Sequence, residues 1–212
     1  MGRYAYSNQP PIAFWNLRGL ANTLLPVIAE DPEAAIEPAT EVLQTFPDRF
    51  EHFYSEGIRR KLGLEDSLEG DDELAQELLT RMADNGADFT LTFRRLSELG
   101  DEPSDADARV SGLFREPLAF DDWASRWRLR VSRDSRSAAE RQAAMRAVNP
   151  AFIPRNHRVE EVIQAAVNDD DFGPFETLLE VLASPYDDQP DRLEYEAPPL
   201  PEEVVHQTFC GT

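Results

Sequence analysis

Along most of this chain apolar residues return every three to five positions, the spacing that lines one face of a helix. Pro10 and Pro11 suit a helix start, and Ile12, Trp15, Leu20, Leu24 and Val27 follow as one apolar face. Asp31 can cap the next helix with Pro32 at its first position, and Val42, Leu43 and Phe46 supply its face. Pro47 interrupts or restarts that helix, because it lacks the N–H the ladder needs. Phe50, Phe53, Tyr54 and Ile58 carry the pattern on to a stop near Gly63. After an acidic loop over residues 67–72, Asp71 or Asp72 can cap a helix bearing Leu74, Leu78, Leu79 and Met82, which Asn85 and Gly86 end. Phe89, Phe93 and Leu96 mark a short helix, and residues 100–108 read as a polar, mobile loop. Trp123, Trp127 and Leu129 fall on a helix with arginines between them, and Ser137 opens a capping box with Glu140. Pro154 starts a helix faced by Val159, Val162, Ile163 and Ala166, and a last one runs over residues 174–183.

After Ser184 the periodicity stops. Prolines at 185, 190, 198, 199 and 201 leave an extended segment that holds its place only by packing on the helices. No stretch alternates as a strand and no repeat occurs. The reading is therefore an all-α chain, with a helical domain over residues 1–184 and an irregular, proline-rich tail over residues 185–212.

Composition changes this picture mainly through charge. Forty-one acidic against 21 basic residues give a formal charge of −20, which disfavours nucleic-acid phosphates and anionic lipid and reads as a solubility trait. Lys61 is the only lysine. The single cysteine, Cys210, allows no disulfide within the chain. The first residues carry no apolar signal region and no run is long enough to span a membrane, so a cytoplasmic protein is expected.

Few residues suggest chemistry of their own. Asp171-Phe172-Gly173 spells the magnesium-binding triplet of protein kinases, but no catalytic loop precedes it and no glycine-rich loop accompanies it. A helix stop and restart explains it better. Lys61 sits near a helix end, where a cation is favoured, and no P-loop motif accompanies it. His52, His157 and His206 are scattered, without ligand spacing, and His157 suits a structural hydrogen bond. The acidic runs lack the calcium-loop pattern. Arg94, Arg95 and Arg155, with Asn156, could touch a substrate or a nucleotide lobe; an ion-pair network tying helices together is the favoured alternative. Arg3, Asn8 and Gln9 can order the start of the first helix in the same way. No catalytic, cofactor-binding or metal-binding residue is assigned. Cys210, the third residue from the end, is the one candidate site, as an exposed thiol open to oxidants.

Five segments resemble, in order, those of the selenoprotein O (YdiU) family. They are GRYAYSNQPPIAFWNL at residues 2–17, ADFTLTFRRLS at 87–97, FDDW at 120–123, NPAFIPRNH at 149–157 and PYDDQPDRLEYEAPP at 185–199. Cys210 falls where the family carries cysteine or selenocysteine. The resemblance implies a kinase-like enzyme that moves AMP from ATP, with magnesium, onto Ser, Thr or Tyr of protein substrates. It also implies that this chain is the carboxy-terminal half, akin to the lower lobe and its extension. The ATP-binding and metal-binding residues would lie upstream of Met1. On that reading the chain is inactive alone, its partner is the absent nucleotide-binding half, and Cys210 forms a redox disulfide to a cysteine near the active site. The alternative is a stand-alone, non-enzymatic helical module whose first helix exposes Ile12, Phe14 and Trp15 to a binding partner.

Overall fold

The computed structural model describes residues 8–206, and among them every regular element is a helix. The chain divides into two compact units, residues 1–57 and 58–212.

In the first unit, α1 (Gln9–Ile28) starts at the paired prolines, and α2 (Pro32–Gln44) starts where the Asp31 carboxylate accepts the Glu33 N–H. α3 (Phe46–Lys61) begins here, with Pro47 in its first turn, where a missing N–H costs nothing. Pro26 and Pro38 lie inside α1 and α2. Phe14 stacks on Phe46, and Phe46, Phe50 and Tyr54 follow one another along α3 at centroid spacings of 5.7, 5.8 and 6.1 Å. Ala35 is nevertheless the only buried residue among those described in this unit.

The second unit is built differently. Beyond Lys61 the backbone turns at Gly63, whose φ is +72°. The Gly63 N–H reaches the Arg60 carbonyl and the Leu64 N–H the Arg59 carbonyl, a glycine-terminated helix end. A Cβ at Gly63 would stand 2.6 Å from Met145 Sδ, so the position needs glycine for both reach and conformation. Then follow α4 (Asp71–Asn85), α5 (Phe89–Leu96), α6 (Asp105–Ser111), α7 (Leu118–Val131), α8 (Ala138–Arg146), α9 (Asn156–Asp169) and α10 (Gly173–Ala183).

The core gathers around α7. Trp123 and Trp127 are wholly buried, stack 6.3 Å apart, and donate their indole N–H groups to the carbonyls of Leu74 and Leu62, each at 2.9 Å. Phe93, Leu96, Leu78, Phe120, Val110 and Met145 complete it. An indole whose N–H is satisfied can be buried whole, which explains why this unit has a dense centre.

Two local expectations need correction. Residues 105–111, read as mobile loop, form α6, because Ser104 and Asp107 make a reciprocal capping box. Asp71 is not a cap: Gly70 precedes the helix, and the buried Asp71 carboxylate accepts the Leu68 N–H and pairs with Arg130. Leu129 falls on α7 as expected, on its solvent side, 62 % exposed. Beyond α10 the chain makes a turn at Pro190–Arg192, the one-turn helix α11 (Leu193–Glu196) and a turn at Pro201–Glu203.

Candidate functional site

A network of buried and half-buried polar residues lies where α5, the segment 149–157 and the segment 185–196 meet. Asp88 starts the arrangement. Placed just before α5, its carboxylate accepts the Leu91 N–H at 2.8 Å and so caps the helix. The same carboxylate receives Arg155 through both guanidinium arms, at 2.8 and 3.1 Å. Burial pushes the Asp88 carboxyl up, but the Arg155 hydrogen bond and charge, with the Leu91 and Thr90 N–H groups, outweigh it and hold the group below its ordinary value.

Arg94, six positions further along the chain, is more deeply buried than Asp88. One guanidinium nitrogen donates to the carbonyls of Asn149 and Tyr186, at 3.1 and 3.0 Å, and at 3.5 Å to that of Arg146. The other pairs with Asp188. Asn149 is fully buried; its amide donates to the Lys61 carbonyl and, at 3.4 Å, to Ser97 Oγ. The Lys61 ammonium donates back to the Asn149 side chain and to the Val148 carbonyl, both at 3.2 Å, and lies over the rings of Phe89 and Phe93. Burial lowers the Lys61 pKa from its ordinary value.

This arrangement fastens one part of the unit to another. The Arg94 guanidinium spends its N–H groups on carbonyls and a carboxylate, and Arg155 spends its two arms on Asp88. Neither presents a fork to an incoming phosphate. Arg95 lies half-exposed and donates to the Arg109 carbonyl, while Asn156 is exposed at the first position of α9. Sequence reasoning singled out the arginines but missed their partners, Asp88 and Asp188, and the linking Asn149. The signal for Asp88 was present, as an acidic residue directly before an apolar helical run.

The remaining candidates stand apart. Asp171 of the kinase-like triplet is exposed and accepts the Gly173 N–H at 2.9 Å, closing the turn between α9 and α10. His52 and His206 are exposed. His157 is buried in α9 with its Nε2 unpartnered. No group of three His, Cys, Asp or Glu among the described residues is placed to hold a metal ion. No described helix is long and apolar enough to cross a membrane. Cys210 and Arg3 lie outside the described residues.

An all-helical chain whose motif-bearing segments are pinned by buried arginines is one class of protein; sequence relationships narrow it further. Residues 1–183 match the family described as "Protein adenylyltransferase SelO", and the chain belongs to that family. It is similar to proteins named "Protein nucleotidyltransferase YdiU". That of Bradyrhizobium diazoefficiens is 58% identical over 212 residues, that of Rhizobium etli (strain CIAT 652) 56% and that of Rhodopseudomonas palustris (strain BisB5) 53%. Each match covers all of this chain but only 42–43% of the relative, so the chain spans less than half the length of these proteins.

Proposed function

We propose that this chain is the helical, carboxy-terminal part of a SelO-type protein adenylyltransferase with a kinase-like fold, and that alone it does not catalyse. In the complete enzyme AMP would pass from ATP, bound with magnesium, to Ser, Thr or Tyr hydroxyls of protein targets. The observation that carries this reading is the family match together with its span, 43% of a relative's length.

The fit of Mg-ATP to the described residues supports the second half of the proposal. A nucleotide site needs a free cation for phosphate and carboxylates converging on a metal. The only lysine, Lys61, is held by Val148 and Asn149 and faces two phenylalanine rings. Asp171 closes a backbone turn. These residues do not suit the group. The role left for the chain is a scaffold beneath an active site formed elsewhere, with Cys210 as the redox-responsive thiol.

The test is a titration of the 212-residue chain with Mg-ATP by calorimetry, beside transfer of radiolabelled AMP by the longer protein that contains it. No saturable binding by the short chain and labelling by the long one are expected. Micromolar Mg-ATP binding by the short chain would sink the proposal.

One observation favours the alternative of an interaction module. No residue of α1 is buried, and Trp15, Leu20 and Val27 are 61, 54 and 81 % exposed. A face of that kind is covered by a partner chain or by a further part of the same protein. Clean monomeric behaviour on size exclusion would count against the module.

A further inference from the structure

Between α9 and the turn at Pro201–Glu203 lies a cavity of about 390 Å³ that plays no part in the arginine network above. Glu160, Glu161, Glu202 and Glu203 line it together with His157, and Val204 and Val205 form an apolar wall. Arg158 neutralises one of the four carboxylates, bonding both oxygens of Glu161 at 2.9 and 2.8 Å. Glu160 takes a neutral Gln164 amide and Glu203 the Leu200 N–H; among the described residues neither they nor Glu202 forms an ion pair. Three carboxylates therefore line one cavity without an ion pair of their own, the nearest cation, Arg158, being bonded to Glu161 and acting on Glu203 only through its charge.

A second observation concerns a different kind of atom. His157 is only 4% exposed and its Nε2 has no hydrogen-bond partner. Buried polar atoms without partners are rare and costly, and a cavity beside one marks a place where a donor belongs. Burial, with the charges of Arg158 and Arg155, lowers the His157 pKa against the opposing pull of Glu203 and Glu161, so the ring is neutral near neutral pH and keeps one acceptor nitrogen.

We propose that this cavity binds an arginine side chain of a second polypeptide, its guanidinium shared between the glutamate rim and His157. A metal ion is the poorer occupant, since no three ligands converge among the described residues. A guanidinium spreads five donors over a plane, which suits acceptors that are spaced apart, and its aliphatic stem suits Val204 and Val205. In a peptide-borne arginine the α-carbon carries neither a free carboxylate nor a free ammonium, so the rim meets the guanidinium and its stem alone. This site is independent of the adenylyltransferase reading.

The probe is Nα-acetyl-arginine N-methylamide, titrated at fixed ionic strength into the whole 212-residue chain and followed by NMR of the His157 ring. His157→Gln serves to assign the resonance among the three histidines. A saturable shift is expected, with weaker binding of free arginine and none of the neutral citrulline analogue. The double variant Glu160→Gln/Glu203→Gln should weaken binding by about tenfold or more, at roughly fivefold per carboxylate. Glu37→Gln/Glu51→Gln, which removes the same charge from exposed positions of the first unit, should change it less than about twofold. Equal shifts with citrulline, equal loss in both double variants, or saturation of His157 by zinc but not by the arginine probe would each overturn the proposal.

Discussion

The two units of this chain contain similar helices but very different interiors. Residues 58–206 bury two tryptophans, several phenylalanines and four arginines, while residues 8–57 bury one alanine. Periodic apolar residues are abundant in both. What separates them is whether a face meets a second face. In the first unit Leu17, Val42, Leu43, Phe46, Phe50 and Phe53 line an apolar groove of about 390 Å³, open where the second unit would have closed core. A short stretch of helices with so little buried surface draws its stability from something beyond itself.

The comparison can be broken or sharpened by substitution. The largest expected effect is at Trp127. Truncation to Ala removes a buried indole, the hydrogen bond to the Leu62 carbonyl and the ring under Arg141, at a cost of about 3–5 kcal/mol in urea unfolding. A loss below 1 kcal/mol would show that the second unit's core is not where its stability lies. Next comes Arg155→Met, which strands the Asp88 carboxylate and should cost about 3 kcal/mol, less than for a fully buried pair because Asp88 is 21% exposed. The double variant with Asp88→Asn should recover part of that loss, and simple additivity would argue against coupling. Gly63→Ala should cost about 1–2 kcal/mol or more, through its positive φ and the crowding by Met145. Trp15→Ala, on the exposed face of α1, should change the isolated chain's unfolding by less than about 0.5 kcal/mol while weakening any partner that covers α1.

Acid should distinguish the polar sites. The His157 pKa is lowered in the folded chain by burial first, then by Arg158 and Arg155, with Glu203 and Glu161 opposing. The unfolded chain then binds the proton more readily, so stability is full above the ordinary value of 6.5 and declines as pH falls through it. Asp88 is depressed, and its contribution is full above the ordinary 3.8 and lost only as pH falls below it. Two separate declines in unfolding free energy are expected, and His157→Gln should erase the upper one alone. Persistence of the upper decline in that variant would assign it to another group.

Much of the local structure was legible because its causes are local. Asp31 before Pro32, the stop at Gly86 and the Ser137–Glu140 box each depend on residues within one turn, and each stands as read. The same logic missed α6, where the Ser104–Asp107 box was hidden in a polar stretch. The arginines of the candidate network were visible and their partners were not, because Arg94 meets Asp188 across 94 positions and Arg155 meets Asp88 across 67. Leu129 carried the right residue type for a core and lies on the solvent side of α7.

By itself, then, the amino-acid order determined the all-helical class, most helix boundaries and the family, since periodicity, caps and contiguous motifs are written in neighbouring residues. Tertiary structure alone decided which arginines are spent on internal carboxylates, that Lys61 faces Asn149 and two aromatic rings, and that His157 shares a cavity with glutamates from a distant turn. Those are facts of long-range approach, and a charge or a lone pair acquires its role only from what the fold sets beside it.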